Sequence, residues 1–429
     1  MTYNLTLEQG GDYRVRPLAD SFVTVYESPD AGQLYGFSPG IAVLPGGRLL
    51  ATIDLGGKGV REQDGPKGSR HGYVTQGKVF VSDDDGATWR FTADFPFMHA
   101  RPFLAGGSLY VLGHCVDIQI IRSDDGGETW TEPVVLTAEG DWHQAPCNVH
   151  YARGNIYLVM ENIRDGDQSH FWPVSCMEPV LMRASEQSDL LDPASWSYAT
   201  RLTARDAIPS EKLDYFGVPF FTEMRNHQRG QINCAPVGWL ETNVVQFVDP
   251  DHLWYDAAGR TFHLWMRAHT GGTGYAAIAK VVEDEDGRMV TTLETAPSGK
   301  QIAFVPCPGG QMKFHIVYDD VTKLYWLLSS QSTDSMTRPD RLPKERFDLP
   351  NNERHRLQLH FSKNCIDWCF AGLVCAGPSP KQSRHYASMA ISGNDLLVLS
   401  RSGDERAASA HNGNLITFHR IRGFRDLAY

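Results

Sequence analysis

Residues 82–89, with the sequence SDDDGATW, and residues 123–130, with the sequence SDDGGETW, nearly repeat each other. Both fit the pattern S-x-D-x-G-x-T-W, and both follow an apolar run that is typical of a β-strand. The Ser and Asp side chains can bond the backbone N–H groups of a turn, and Gly can supply a positive φ angle. The Trp ring can pack into the core of a sheet. Each copy therefore predicts a structural hairpin turn rather than a metal site.

A second unit consists of an apolar strand, a turn rich in Gly, Asp or Asn, and another apolar strand, which is a hairpin signal. Six copies are visible, at residues 40–51, 102–112, 149–159, 254–265, 314–326 and 389–399. The two units alternate along the chain, as the inner and outer hairpins of a propeller blade do. The repeats predict an all-β chain that forms a single β-propeller domain over residues 1–429. We expect six or seven blades, because the longest gap between copies leaves room for a seventh.

Composition and charge narrow the functional classes. The 429 residues carry a formal net charge of −11, which argues against a nucleic-acid partner. No apolar run approaches the ~18 residues of a membrane-spanning helix, and the first residues show no signal-peptide pattern. The eight cysteines show no CxxC spacing, and several lie in apolar runs. We therefore expect reduced, mostly buried thiols and a cytoplasmic protein, although the mature form of a secreted protein would look the same.

The candidate site residues are polar side chains within the predicted inner strands, because these strands converge on a central pocket. A single His or Arg in a strand usually has a structural role, but here polar residues recur in phase with the repeat. Buried cations need anionic partners, and an anionic substrate could be the partner of several of them. The predicted catalytic residues are His143, Arg267, Tyr386 and His411. The predicted substrate-binding residues are Arg101, His114, Arg225, Asn243, His269, Lys313 and Arg401.

Cofactor motifs are missing from the sequence. It has no HxH or HExxH spacing for a catalytic metal, no GxGxxG or P-loop for a nucleotide, and no GxSxG turn for a nucleophilic serine. We predict no cofactor and leave a structural metal ion open. Two long polar stretches, 208–231 and 335–355, are predicted to be functional loops.

The repeated turn resembles the Asp-box of sialidases and related propellers. Sialidases begin their first blade with an Arg-Ile-Pro sequence whose arginine holds the substrate carboxylate. In this chain Ser38 stands where that arginine would be. The departure weighs against ordinary sialidase chemistry.

Residues 237–243, 308–314, 319–326 and 409–420 look more like the propellers that cleave rhamnose–glucuronate linkages and like the ulvan lyases. Those families have seven blades, which makes seven the favoured number for this chain, with six still open. The resemblance implies β-elimination at a 4-linked uronate, which needs a cation to neutralise the carboxylate, a base and an acid. Arg267 or Arg101 would be the neutraliser and His143 or Tyr386 the base. His411 would be the acid or a sugar ligand.

Two alternatives to this lyase stay open. One is a sialidase-like exo-glycoside hydrolase, for which Glu161 and Asp54 are candidate carboxylates. The other is a glycan-binding propeller without catalytic activity. In each case the expected partner is an oligosaccharide that contains an acidic sugar, with no nucleic acid and no membrane. Elimination is the favoured reaction at this point.

Overall fold

The computed structural model describes residues 15–164, 174–208, 238–269, 274–330, 332–333, 341 and 353–429. Within these residues the chain is almost entirely β, and every strand pairing is antiparallel. The exceptions are one short α-helix, Ala204–Ala207, and four 3₁₀ segments. The 3₁₀ segments are Lys58–Glu62, Val174–Cys176, Pro193–Ser195 and Phe424–Leu427.

The large sheets form six blades. From the innermost strand outward, blade 1 contains Tyr35–Val43, Leu49–Gly56, Gly77–Ser82 and Arg90–Phe95. Blade 2 contains Met98–Ala105, Ser108–Cys115, Asp117–Ser123 and Val134–Val135. In blade 3 Trp142–His143 and His150–Ala152 share the innermost place, followed by Asn155–Ile163, Met177–Ser185 and Ser197–Tyr198.

Blade 4 contains Trp239–Val245, Thr261–Ala268 and Tyr275–Glu283, with Met289–Thr292 and Phe304–Pro306 outermost. Blade 5 contains His315–Asp319, Leu324–Ser329, Arg356–Ser362 and Cys369–Ala376. Blade 6 contains Arg384–Ser392, Asp395–Ser402, Leu415–Ile421 and Val23–Glu27. Two small hairpins complete the described strands, Gly68–Arg70 with Tyr73–Thr75 and Glu294–Thr295 with Gln301–Ile302.

The ring is closed by the two ends of the chain. Val23–Glu27 is the outermost strand of blade 6 and pairs with Leu415–Ile421, so that Val23 lies opposite Phe418. The innermost strand of blade 1, Tyr35–Val43, contacts the innermost strands of both blade 6 and blade 2. Strands from the two ends of the chain therefore share one sheet, which closes the ring between blade 6 and blade 1.

The predicted propeller is confirmed, and it has six blades among the described residues, the smaller of the two expected numbers. Five of the six inner hairpin units form the first two strands of a blade. The prediction at 254–265 is wrong in its first arm, because residues 254–256 are not a strand and Thr261–Ala268 pairs with Trp239–Val245 instead. The gap that left room for a seventh lies largely between Tyr198 and Trp239. Its described residues contain the short helix Ala204–Ala207 and no further strand. The preference for seven blades came from the lyase resemblance and is not met.

The repeated turn has the structural role that its residues predict. Asp84 accepts hydrogen bonds from the Thr88 backbone N–H at 2.8 Å and from the Ser82 hydroxyl at 2.8 Å. Gly86 has a φ of 88°, and its N–H donates to Ser82 Oγ. The second copy at residues 123–130 repeats these bonds. Both turns join the third and fourth strands of their blades, at the end of the ring opposite the starts of the innermost strands.

Two smaller points concern chemistry and location. The seven cysteines in the described part of the chain are free thiols, as expected. Among the described residues, no helix has the length and apolar character needed to cross a bilayer. The cytoplasmic location stays a prediction.

Candidate functional site

Four of the six innermost strands carry a β-bulge near their starts. The register shifts in blades 1, 2, 4 and 6, and in each bulge one non-glycine residue has a positive φ. These residues are Ser38 (43°), His99 (54°), Glu241 (55°) and Tyr386 (52°). Left-handed backbone is costly for such residues, and bulges commonly redirect a side chain beside an active site. Four blades thus carry the same kind of bulge at the same height along the propeller axis.

Each bulge lies beside a polar residue near the end of the second strand of its blade. The residue immediately before each bulge pairs with one of these polar residues. The pairs are Phe37 with Asp54, Met98 with His114, Leu240 with Arg267, and His385 with Arg401. In blade 3, His143 pairs with Glu161. The first two strands therefore bring polar residues from five blades to one end of the axis.

The centre of the site is a hydrogen bond between Tyr386 and Glu241. The Tyr386 hydroxyl donates to Glu241 Oε1, and Arg267 Nη1 lies 3.2 Å from Oε2 of the same carboxylate. These residues come from blades 6 and 4, which are not neighbours, so the contact crosses the axis. Burial, followed by the Glu241 charge, holds the pKa of Tyr386 well above its usual 10, although Arg267 and Arg401 oppose this shift. The phenol is neutral at pH 7 and directs its proton at a carboxylate.

Three arginines concentrate positive charge beside this pair. Arg401 Cζ lies 3.6 Å from the centre of the Phe37 ring and 5.7 Å from that of Tyr386. Arg354 Nη1 lies 2.9 Å from Nδ1 of His385. Burial lowers the pKa of Arg401 to about 10, and the proximity of Arg401 and Arg267 adds to the lowering of the pKa of Arg354 by burial. Such closely spaced, buried guanidinium groups suit an anionic ligand that would pair with them.

His411 lies against the same charges. Its Nδ1 is 3.0 Å from Arg401 Nη2. Its pKa is held well below 6.5, first by the charge of Arg401, then by burial and by the charges of Arg354 and Arg267. A neutral imidazole is therefore expected here at pH 7.

Asp54 is a fully buried carboxyl on the blade 1 side of the site. Its Oδ1 accepts a hydrogen bond from the His99 backbone N–H at 3.1 Å. Burial raises its pKa to about 7, against the opposing effects of this hydrogen bond and of the Arg401 charge. A carboxyl with such a pKa can both donate and accept a proton near neutral pH.

Three histidines line the blade 2 and blade 3 side. His99 Nδ1 lies 3.0 Å from His114 Nε2, and the ring centres of His99 and His143 are 5.2 Å apart. His143 Nδ1 lies 3.4 Å from a Glu161 oxygen. The other Glu161 oxygen accepts the N–H and the hydroxyl of Thr242. Burial, reinforced by nearby positive groups, holds the pKa values of His99 and His114 well below 6.5.

Three predicted substrate-binding residues lie where their polar groups bond the protein. Lys313 Nζ donates to Ala387 O and Ser388 Oγ. Asn243 bonds Phe314 O and the Ile316 N–H, which ties blade 4 to blade 5. Arg101 donates to Ala145 O and Val159 O. Their assignment to substrate stays a prediction.

A cavity of about 720 Å³ lies on the propeller axis, at the end of the ring opposite the Tyr386–Glu241 pair. The cavity is lined by the later halves of the innermost strands and by Arg101, His315 and Ser388. The charged cluster described above and this cavity therefore lie at opposite ends of the axis.

Two predicted substrate-binding residues remain, His269 and Arg225, and only His269 lies within the described residues. His269 is buried next to Arg267, and neither of its ring nitrogens has a hydrogen-bond partner among the described residues. Arg225 lies outside the described residues, as do most of the predicted loops at 208–231 and 335–355. No group of three or more His, Cys, Asp or Glu side chains in the described ranges is arranged to hold a metal ion.

Two charged residues of the site, Glu241 and Arg354, were not among the predicted site residues. Glu241 lies in the quoted stretch 237–243, from which Asn243 was chosen. The available signal was a charged residue within an apolar strand, a position that is rarely occupied without a functional or structural partner. Arg354 lies at the end of a stretch interpreted as a loop.

Comparison with solved structures identifies the fold. A Hadza microbial sialidase aligns over 94% of this chain and 68% of its own length, with a TM-score of 0.55 and 14% identity. Trypanosoma rangeli sialidase in complex with sialic acid aligns over 96% of this chain, with a TM-score of 0.52 and 13% identity, but over only 60% of its own length. A Dyadobacter fermentans protein of unknown function aligns over 95% of this chain and 99% of its own length, with a TM-score of 0.54 and 12% identity.

At such identities the likeness establishes the fold alone, which is the sialidase-like β-propeller. No protein-family profile matches the chain, and the search of curated proteins found no match. The predicted sialidase-like propeller fold is therefore confirmed. The resemblance to the rhamnose–glucuronate and ulvan lyases stays a prediction.

Proposed function

We propose that this chain is a carbohydrate-active enzyme, an exo-glycoside hydrolase for a terminal sugar whose anomeric carbon bears a carboxylate. Such sugars are ulosonic acids, the class to which sialic acid belongs. The observation that carries the proposal is the hydrogen bond between Tyr386 and Glu241, set between arginines and opposite a carboxyl that titrates near neutrality. Solved sialidases with the same fold, one of them holding sialic acid, add support.

The type of nucleophile points to this substrate class. Most retaining glycosidases attack with a carboxylate, whereas sialidases use a tyrosine. A carboxylate nucleophile would be repelled by an anionic group on the carbon that it attacks. Tyr386 is neutral at rest and can pass its proton to Glu241 as its oxygen attacks. No full negative charge then approaches the substrate carboxylate.

The substrate carboxylate would bind Arg267, Arg354 and Arg401. Sialidases place an arginine in their first blade, where this chain has Ser38. Arg401 packs its guanidinium on Phe37, the residue immediately before Ser38. A blade 6 arginine therefore lies close to the position that the first-blade arginine would take, and the charge is retained although the motif is lost.

Asp54 would be the acid and base. In the first step the Tyr386 oxygen bonds the anomeric carbon, the glycosidic bond breaks, Glu241 takes the phenol proton, and Asp54 donates a proton to the leaving oxygen. In the second step Asp54 removes a proton from water, which attacks the anomeric carbon. The bond to Tyr386 breaks, and Glu241 returns the proton to it. Two displacements at one carbon retain its configuration.

β-Elimination at a uronate is the second candidate and was the favoured prediction from sequence. The observation in its favour is that Arg267 and Arg401 flank Tyr386, as a neutralising cation and a base would. Against it stands Glu241, because an anionic partner disfavours the phenolate that a base requires.

One assay separates the two reactions. The purified chain is incubated with a 4-methylumbelliferyl α-ketoside of an ulosonic acid and, separately, with rhamnosyl-glucuronate oligosaccharides. Fluorescence release from the ketoside without absorbance at about 235 nm supports hydrolysis; absorbance growth with the oligosaccharide indicates elimination and overturns the proposal. The variant Tyr386→Phe should lose the hydrolysis. Its matched control is Tyr325→Phe, which removes the hydroxyl of a buried blade 5 tyrosine that bonds Gln246 O.

A further inference from the structure

The substrate orientation follows from the order of the blades, if the proposed function holds. Glu241 and Arg267 belong to blade 4, Arg354 lies two residues before the blade 5 strand Arg356–Ser362, and Tyr386 and Arg401 belong to blade 6. Asp54, the acid for the leaving group, belongs to blade 1. A sugar held by its carboxylate at blades 4 to 6, with its leaving group toward blade 1, must direct the rest of its ring at blades 2 and 3.

The surface that it meets there is polar. His99, His114 and His143 are in mutual contact, with ring centres 5.1 to 5.9 Å apart. Gln144 donates to the carbonyl of His99, and Glu161 lies behind His143. We name His99, His114 and His143 the histidine wall. His99 is the partly exposed member, and its bulge backbone is the one that also bonds Asp54.

We propose that the histidine wall binds hydroxyl groups of the sugar, so that the site prefers a fully hydroxylated ulosonic acid to one that carries an N-acyl group. This inference rests on the proposed function for the orientation of the sugar. A neutral imidazole has one donor and one acceptor nitrogen, which matches a hydroxyl group. The methyl group of an N-acetyl substituent offers neither, and it would leave buried polar atoms without partners.

The chemistry of the wall agrees with a neutral ligand group. Burial, reinforced by the charge of Arg70, holds the pKa values of both His99 and His114 well below 6.5, so that both imidazoles are uncharged at pH 7. His114 Nδ1 is buried and has no hydrogen-bond partner among the described residues. A buried polar atom with unused bonding capacity favours a ligand that supplies a hydroxyl group.

The test compares two free sugars that differ at one position, N-acetylneuraminic acid and its deaminated counterpart, in which a hydroxyl replaces the acetamido group. Binding is measured by titration calorimetry on Tyr386→Phe, which avoids turnover of any kind. We expect the hydroxylated sugar to bind at least about tenfold more tightly, the equivalent of roughly one well-made hydrogen bond. His99→Ala should bring the ratio close to one. His99→Asn should keep part of it, because Asn tolerates a positive φ and retains a donor and an acceptor.

The control is His71→Ala, whose side chain is 51% exposed and pairs with Asp141; it should leave the ratio unchanged. Equal or tighter binding of the N-acetyl sugar overturns the inference, as does a ratio that His99→Ala does not alter. Binding of neither sugar overturns it as well. Hydrolysis of either ketoside by the unmodified protein upholds the proposed function in all these cases, so that the two failures are distinguishable.

Discussion

Replacing Asp54 with Asn should make the protein more stable at alkaline pH. The carboxyl is fully buried, and its Oδ2 has no hydrogen-bond partner in the described part of the chain. Burial raises its pKa from 3.8 to about 7. The folded protein therefore keeps this proton up to about pH 7, whereas the unfolded chain releases it near pH 4. Because the folded state binds more protons in this interval, its stability falls as the pH rises through it.

The difference between the two pKa values sets an upper limit of about 4 kcal/mol on the free energy of unfolding that the protein loses between pH 4 and pH 8 through this carboxyl. Urea unfolding of the two proteins at pH 4 and pH 8 measures the effect. The advantage of Asp54→Asn over the unmodified protein should grow by up to about 4 kcal/mol between these pH values. Asp320→Asn is the control, since that side chain is 90% exposed. A stability difference that does not change with pH would refute the reasoning about Asp54.

Three further predictions concern the nucleophile, the buried lysine and the repeated turn. Tyr386→Phe should lower kcat by about a thousandfold or more, because the attacking oxygen is lost; a loss below tenfold would remove Tyr386 as the nucleophile. Burial lowers the pKa of Lys313 to about 8, so the folded state binds fewer protons than the unfolded state between pH 8 and about 10.5. The stability of the unmodified protein should rise with pH in this range relative to that of Lys313→Met, and parallel curves would contradict this. Gly86→Ala should lower Tm well below that of Gly46→Ala, because a Cβ at Gly86 would lie 2.3 Å from the Phe418 ring whereas Gly46 faces open space at a similar φ; equal melting temperatures would argue against this contact.

The propeller could be predicted from sequence because its signals are local. A hairpin turn needs particular residues at fixed positions, and the turn at residues 82–89 shows them together with the strands on either side. The number of blades was harder to predict, because a long connection and a weak blade look alike in sequence. Between Tyr198 and Trp239 the described residues hold only the short helix Ala204–Ala207 and no further strand.

The site was only partly predictable, for a physical reason. Strand alternation assigns side chains to faces with a period of two, and a bulge shifts that assignment by one residue. Glu241 lies in such a bulge, so regular alternation gave no reason to place it at the axis. Tyr386 lies in another bulge and was chosen by residue type instead. The contact between the two crosses from blade 4 to blade 6, and no local pattern records it.

Covalent trapping of Tyr386 tests the central claim most directly. A 2,3-difluoro-ulosonic acid loses its anomeric fluoride when the phenol oxygen attacks, and the fluorine at C3 slows the second displacement. The proposed mechanism predicts that intact-mass spectrometry detects one bound sugar per chain, that peptide mapping places it on Tyr386, and that Glu241→Gln slows its formation. Label on another residue, or turnover of a ketoside with no label on Tyr386, would contradict the account.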